Sequence, residues 1–189
     1  MTNARADSLP LSVSQEETLI EAFRRRDRAA FDSLYDTCHR PLLSFCIRLT
    51  GSREAGEDLL QETFVAAFHS APTFRPGARV LPWLLGIAVR KARDLRRKNA
   101  PATVPHLEET DEIASGQSTE ESIVERLAYE AALQTLSEKH RVAFLLVVGG
   151  QLTHAEAARI LHCPAGTVKW RVAEAMRRLR TALTEERIS

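Results

Sequence analysis

Apolar residues recur every three to four positions along most of this 189-residue chain, as Leu60, Phe64 and Phe68 do. A spacing of about 3.6 residues gathers them on one side of an α-helix, whereas a half-buried strand needs apolar and polar residues to alternate. The sequence contains no such alternating run and no Asn-Gly turn. Hydrophobic residues make up 44% of the chain, which is enough to build a packed core. We therefore expect an all-α protein.

Two segments interrupt the helical pattern. The stretch 71–82 contains several prolines and a glycine, so it predicts a loop. The stretch 99–119 is polar and acidic without periodicity, which is typical of a linker. We expect two helical domains joined by a flexible acidic linker. The expected division is a flexible N-terminus at 1–13, a first domain at 14–98, the linker at 99–121 and a second domain at 122–185.

Charges are segregated along the chain, although the net charge is only +1. A basic stretch at 75–98 has Asp94 as its single acidic residue, and a second basic stretch at 157–180 has Glu174 as its single acidic residue. Between them, 106–121 is acidic and contains no Lys or Arg. The chain is therefore basic, then acidic, then basic along its length, although these charges nearly cancel in the net charge.

A helix expected from Trp83 has one face that is almost wholly basic. Its predicted apolar stripe consists of Leu84, Ile87, Ala88 and Leu95. Its opposite side carries Arg90, Arg93, Arg96 and Arg97. A face in contact with solvent usually mixes both signs of charge, so this pattern favours contact with phosphates. An ordinary solvated face is the alternative.

The segment 153–180 has the pattern of a helix–turn–helix. A capping box from Thr153 to Glu156 opens a short helix, and the turn 162–164 leads into a longer, basic helix. In this motif the second helix enters the DNA major groove. Its apolar stripe would be Val168, Val172, Ala175 and Leu179. Trp170 lies on the far side of that stripe with other side chains suited to DNA, and Lys169 lies on the flank. The others on the far side are Thr167, Arg171, Glu174 and Arg178. A helical hairpin with charged solvent faces is the alternative.

The sequence offers little for catalysis or metal binding. His39 and His154 lack a paired acid or nucleophile, and no loop is placed to hold a phosphate. Cys38, Cys46 and Cys163 do not have the spacing of metal ligands. Their odd number, without a signal peptide or long apolar run, indicates reduced thiols in a cytoplasmic protein. We expect no enzyme activity, metal, cofactor or small-molecule substrate.

Three stretches resemble the sigma-70 superfamily of bacterial transcription initiation factors. LSEKHRVAFLLVVGGQLTHAEAARILHCPAGTVKWR, at 136–171, resembles region 4, which reads the −35 promoter element. AGEDLLQETFVAAF, at 55–68, is similar to region 2.2, which docks on core RNA polymerase. PTFRPGARVLPWLLGIAVRKARDLRRK, at 72–98, is similar to regions 2.3 and 2.4, which melt and bind the −10 element. Two domains joined only by a linker are typical of the extracytoplasmic function (ECF) group.

The resemblance implies a role for each surface. The residues facing polymerase would be Glu57, Asp58, Gln61 and Glu62. The −10 element would be bound by the loop 74–80 and the basic helix, through Phe74, Arg75, Arg79, Arg90, Arg93, Arg96 and Arg97. The −35 element would be read by Thr167, Lys169, Trp170, Arg171, Glu174 and Arg178. The implied partners are core RNA polymerase, through its β′ clamp and β flap, promoter DNA and an anti-sigma factor.

The sequence leaves three alternatives open. Trp170 could contact a thymine methyl group or anchor an inhibitory partner. The acidic linker could thread toward the RNA exit path of polymerase or act as a plain tether. The whole chain could be an ordinary helix–turn–helix regulator whose N-terminal domain senses a signal or dimerises. That last interpretation leaves the basic helix beside the Pro- and Gly-containing loop unexplained.

Overall fold

The computed structural model of the chain describes residues 13–98 and 120–186, with side chains at 18–97 and 124–184. The first range forms α1 (Val13–Arg24), α2 (Arg28–Thr50), α3 (Arg53–Ser70) and α4 (Val80–Lys98), with a 3-10 turn at Ala71–Thr73. The second forms α5 (Glu120–Thr135), α6 (Glu138–Phe144), α7 (His154–Leu161) and α8 (Ala165–Glu186), with a π-helical turn at Leu145–Gly149. Neither described range contains a strand, so the expectation of an all-α fold is confirmed.

Some expected features fall outside the described residues. These are the flexible N-terminus up to residue 12 and the linker at 99–119. The helix of the second domain begins at Glu120, slightly before the expected boundary.

The helices α2 and α3 are joined by a sharp turn that the sequence specifies. Gly51 ends α2 with a φ of 81°, a left-handed conformation that glycine adopts without strain. Ser52 then begins α3, its hydroxyl accepting a hydrogen bond from the Ala55 amide at 3.4 Å. With so short a connection, α2 and α3 pack side by side as antiparallel neighbours.

Gly56 permits a very close approach of α3 to α2. A Cβ atom at this position would lie 2.6 Å from Ile47 Cγ1 and 2.8 Å from the Ile47 backbone nitrogen and Cα. Real Cβ atoms essentially never come so near to other atoms, and a backbone cannot rotate away as a side chain can. The spacing of the α2–α3 pair therefore depends on the missing side chain.

The helix α4 differs from its sequence-based prediction at both ends. It begins at Val80, so Pro82 lies in its first turn rather than in the preceding loop. Proline is tolerated there because first-turn amides have no acceptor within the helix. Near the other end, Leu95 was expected in the core but is 36% exposed. The buried face instead includes Leu85, Val89 and Ala92.

The C-terminal domain follows the predicted helix–turn–helix closely. The Thr153 hydroxyl accepts from the Glu156 amide at 3.2 Å, and the Glu156 carboxylate accepts from the Thr153 amide at 2.8 Å, so the capping box is confirmed. His162 ends α7 with a φ of 52°. The predicted stripe of α8 is buried: Val168, Val172, Ala175 and Leu179.

The helix before this motif is short. α6 begins at Glu138 and gives way to the π-helical turn after Phe144. Ser137 occupies the N-cap position, yet its hydroxyl makes no hydrogen bond to the helix backbone. The Ser137 hydroxyl lies instead beside His140.

The two domains are in contact. α4 packs on α7, and α2 packs on α5 and the π-helical turn. Between α4 and that turn the fit is tight, because a Cβ atom at Gly150 would lie 2.7 Å from Leu85 Cδ1. Three ion pairs also join the domains: Arg48–Glu130 at 2.8 Å, Arg79–Glu156 at 3.7 Å and Arg96–Glu138 at 2.7 Å.

Candidate nucleic-acid interface

The loop between α3 and α4 presents two arginines over an aromatic support. The Phe74 ring is only 2% exposed, lying 5.0 Å from the Trp83 ring and 6.4 Å from the Phe23 ring between centroids. A ring in that position cannot stack on a nucleic-acid base, so the expectation that Phe74 contacts DNA is corrected. Its burial secures the start of the loop, and Arg75 and Arg79 stand exposed on it.

The loop turns at Gly77. This residue has a φ of 75°, and a Cβ atom there would meet nothing within 4 Å. The Ala78 amide donates to the Arg75 carbonyl at 3.1 Å, which closes the turn. Glycine is thus required here by the backbone conformation, not by crowding, and the space beside the turn is open.

The basic face of α4 is present, but its arginines have different surroundings. Arg90, Arg96 and Arg97 are exposed, and Arg93 is half-buried. Within the described ranges, Arg90 and Arg93 have no ion-pair partner. Arg97 pairs with Asp94 one turn earlier at 2.5 Å.

Two of the expected −10 residues reach the other domain. Arg79 pairs with Glu156 at the start of α7, and Arg96 pairs with Glu138 at the start of α6. All four side chains are at least partly exposed, and exposed pairs of this kind contribute at most about 1 kcal/mol. A phosphate could therefore replace either carboxylate at little cost.

The residues expected to face polymerase lie along α3. Asp58, Gln61 and Glu62 are exposed and Glu57 is half-buried. Two of the carboxylates are engaged, Glu57 by Arg53 at 2.9 Å and Glu62 by Lys91 of α4 at 2.8 Å.

An apolar groove beside these residues was not predicted from the sequence. Its volume is about 580 Å³, and it runs between α2 and α3. Val65, which is 55% exposed, and Tyr35 form part of its wall. Its other lining residues are Phe31, Leu60, Gln61, Phe64, Phe68 and His69. The sequence did hold a sign of this groove, because Val65 is an apolar residue that falls outside the predicted stripe of Leu60, Phe64 and Phe68.

The outer face of α8 carries the residues expected at the −35 element. Lys169, Trp170 and Arg178 are exposed, and Thr167, Arg171 and Glu174 are half-buried. Glu174 accepts from Arg177 at 2.7 and 2.9 Å and from Arg178 at 2.7 Å. These two guanidinium groups lower the pKa of the Glu174 carboxyl to about 2. The Glu174 carboxylate is thus paired with two arginines and orients both. Arg177 was not among the residues predicted from the sequence.

Trp170 is 62% exposed, as the helical pattern predicted, but it has an aromatic neighbour that was not predicted. The His140 ring of α6 lies 5.4 Å from the Trp170 ring between centroids, with the planes inclined at 56°. His140 Nδ1 lies 2.6 Å from the Ser137 hydroxyl, which explains why that hydroxyl does not cap α6. Burial, followed by the nearby Arg178, lowers the pKa of His140.

The cysteines are not arranged around a metal. Cys38 and Cys46 are buried, which raises the pKa of their thiols to about 11 and about 12 respectively. Cys163 is partly exposed, with Arg171 Nη1 3.8 Å from its sulfur. The described residues contain no cluster of three or more His, Cys, Asp or Glu able to hold a metal ion. None of the helices described here is long and apolar enough to cross a membrane.

Comparison with known proteins assigns both domains. The family model of sigma-70 region 2 matches residues 34–101, and that of sigma-70 region 4 matches residues 126–179. The ECF RNA polymerase sigma factor SigM of Mycobacterium tuberculosis is 35% identical over 162 residues, covering 85% of this chain and 81% of that protein. The chain belongs to the ECF sigma factors.

Other relatives agree with this assignment. The RNA polymerase sigma-H factor of Pseudomonas aeruginosa is 28% identical over 185 residues, covering 92% of this chain and 96% of that one. The solved structure of the sigma factor RpoE with the anti-sigma factor NepR from Bartonella quintana has a TM-score of 0.70 at 24% identity, covering 82% of this chain and 96% of that chain. CnrH in complex with the cytosolic domain of CnrY has a TM-score of 0.66 at 23% identity, covering 89% and 97% respectively. These two likenesses show the same fold.

As a sigma factor, the chain binds core RNA polymerase and directs promoter-specific initiation of transcription. The loop, the α4 face and, apart from Phe31, the lining of the groove lie within the region 2 match, and α8 up to Leu179 lies within the region 4 match. The alternative of an ordinary helix–turn–helix regulator is not favoured, because the region 2 match accounts for the N-terminal domain. Sigma factors are initiation factors, and neither matched family is catalytic.

Proposed function

We propose that this sigma factor divides promoter recognition between its two domains. α8 reads the −35 element from the major groove, and the loop with the basic face of α4 holds the melted −10 element. The observation that carries this proposal is that each domain presents its own basic surface. On the first domain, Arg75, Arg90 and Arg93 have no carboxylate partner among the described residues and are available to phosphates.

The −10 surface suits a single strand more than a duplex. Flipping a base out of the helix costs a few kcal/mol, which must be offset by contacts to the opened strand. The open turn at Gly77 leaves space for an extruded base, and Arg75 and Arg79 flank it. The arginines of α4 then follow the backbone, as basic grooves do in proteins that bind single strands.

The −35 surface combines phosphate and base contacts. Lys169 and Arg178 are placed to bind phosphates, which fix the register of the helix on DNA. Thr167, Trp170 and Arg171 lie nearer the N-terminal end of α8, where helix–turn–helix proteins contact base edges. Glu174 acts through Arg177 and Arg178, which its carboxylate orients.

Core polymerase docks on α3 and the groove beside it. Protein interfaces generally have an apolar centre and a polar rim. Val65 and Tyr35 supply exposed apolar surface, and Asp58, Gln61 and Glu62 supply the rim. This surface faces a partner other than DNA, since its exposed charges are negative.

An anti-sigma factor is a further proposed partner. RpoE was solved with the anti-sigma factor NepR bound, and CnrH with the cytosolic domain of CnrY bound, which supports a similar partner here. Because polymerase and chromosome are in the bacterial cytoplasm, the chain is proposed to act there. The linker is proposed to tether the two domains, whether or not it also follows the RNA exit path.

Two variants of the holoenzyme test the division of labour. Arg171→Ala should weaken binding of the closed complex and change base preference at the −35 element, leaving permanganate reactivity of the melted −10 bases unchanged once the complex has formed. Arg93→Ala combined with Arg97→Ala should reduce that reactivity and flatten its salt dependence, leaving polymerase binding intact. If both variants altered the same promoter positions, the proposed division would be wrong.

A further inference from the structure

We propose that His140 is a positioning residue, which holds the Trp170 indole in one orientation on the outer face of α8 and so sets base preference at the −35 element. This inference rests on the proposed function, in which that face enters the major groove. His140 does not itself touch DNA in this account.

The first observation is the ring contact across the α6–α8 packing. An exposed indole on a helix has several allowed rotamers, which solvent alone does not distinguish. With the His140 ring 5.4 Å away on one side, the rotamers that turn the indole away from α6 lose that contact. Val142 of α6 and Val168 of α8 are buried and the two helices pack on each other, which fixes the separation of the helices that carry the rings.

The second observation is that the His140 ring is itself anchored. Its Nδ1 lies 2.6 Å from the Ser137 hydroxyl, which is thereby withdrawn from capping α6. Its Nε2 is buried and has no hydrogen-bond partner among the described residues. A buried unpaired nitrogen opposes stability, so packing within the C-terminal domain alone does not account for a histidine here.

The third observation is the charge around the ring. Arg171 and Arg178 of α8 disfavour a positive His140, Glu174 partly opposes them, and burial is the largest effect. The lowered pKa favours the neutral form of the imidazole. A neutral ring supports an indole by packing and leaves the phosphate contacts to the arginines.

The test uses holoenzymes carrying the full-length variants His140→Ala, His140→Phe, Ser137→Ala and Trp170→Ala. Each transcribes a promoter library with randomised −35 bases, and the transcripts are sequenced. His140→Ala should flatten base preference at the positions that Trp170→Ala flattens, by roughly threefold to tenfold. Ser137→Ala should act in the same direction but more weakly. His140→Phe retains a ring but loses the hydrogen bond to Ser137, so it should flatten the preference no more than Ser137→Ala does.

A spectroscopic measurement separates positioning from loss of structure. The chain has 2 tryptophans, so protein labelled with fluorotryptophan gives one fluorine resonance for each, assigned with Trp170→Phe. His140→Ala should shift or broaden the Trp170 resonance and leave that of Trp83 in place. Ser137→Ala and His140→Phe, which each lose only the hydrogen bond between the two residues, should perturb the Trp170 signal less than His140→Ala does. Ser137 is exposed, so its variant tests the anchor even if His140→Ala folds poorly.

Two results would overturn the inference in distinguishable ways. If Trp170→Ala flattens the preference and neither His140→Ala nor Ser137→Ala does, His140 does not position the indole, while the proposed function stands. If Trp170→Ala itself leaves the preference unchanged, Trp170 does not read DNA, and the assignment of Trp170 in the proposed function fails with the inference.

Discussion

Replacing Gly56 by alanine should destabilise the N-terminal domain, although alanine normally stabilises a helix relative to glycine. In an exposed helix interior, Gly→Ala stabilises by about 1 kcal/mol. Here the new methyl group would lie 2.6 Å from Ile47 Cγ1 and 2.8 Å from the Ile47 backbone. Overpacking costs about 1–3 kcal/mol, and the upper end applies because the obstacle includes backbone. The expected net loss is therefore about 2 kcal/mol, or roughly 10 °C in Tm for a domain of this size.

A second glycine supplies the matched control. Gly86 lies inside α4, and a Cβ atom there would be 3.5 Å from Ile160 Cγ1, an ordinary contact. Gly86→Ala should therefore be neutral or stabilising by up to about 1 kcal/mol. Urea unfolding of both variants is followed by Trp83 fluorescence in a Trp170→Phe background, since Trp83 packs 5.9 Å from the Phe23 ring in the N-terminal core. A Gly56→Ala protein as stable as the parent would refute the close approach of α2 and α3.

Three further predictions address the surfaces. Val65→Asp should reduce affinity for core polymerase at least tenfold in an equilibrium binding assay, because it places a charge in the apolar centre of the proposed docking surface. Glu130→Gln removes the partly buried ion pair with Arg48 and should weaken the contact between the two domains by about 1 kcal/mol. The fraction of molecules with separated domains, measured by single-molecule energy transfer, should then rise about fivefold. In native protein at mildly alkaline pH, Cys163 should react fast with a thiol reagent, and the two buried thiols slowly, since their raised pKa values keep them protonated.

Controls make each of these predictions decisive. Val124→Asp, at a similarly exposed position on α5, should leave polymerase affinity unchanged; an equal loss there would mean that any added charge acts non-specifically. Glu125→Gln removes a charge from α5 without removing an ion pair seen in the described residues, so it should not change the open population. Three thiols reacting at one rate would contradict the burial of Cys38 and Cys46.

The local features were predictable from the sequence because their causes are local. The Thr153 capping box and the buried stripe of α8 depend on spacing within one helix, and both were found as expected. The exposed position of Trp170 follows from the same spacing. The pairing of Glu174 with arginines three and four residues ahead could have been predicted in the same way, because such positions are neighbours on a helix.

The features that were missed depend on contacts between distant segments. Phe74 was assigned to DNA by the resemblance to regions 2.3 and 2.4, but it is buried beside Phe23 of α1 and Trp83 of α4. His140 has no distinguishing pattern in the sequence, since its partner Trp170 lies on another helix. The ion pair of Arg96 with Glu138 crosses the linker, so the sequence could not show that part of the basic α4 face already has a carboxylate neighbour.

As a sigma factor, this chain should confer promoter-specific initiation on core RNA polymerase. The most direct test is run-off transcription of a fragmented bacterial genome by purified core polymerase, with and without the full-length chain, followed by mapping of the transcript starts. New starts should appear only when the chain is present, preceded by two shared sequence elements near −35 and −10, with the upstream one altered by Arg171→Ala. Starts that are unchanged by the chain, or that share no upstream elements, would show that the chain does not direct initiation.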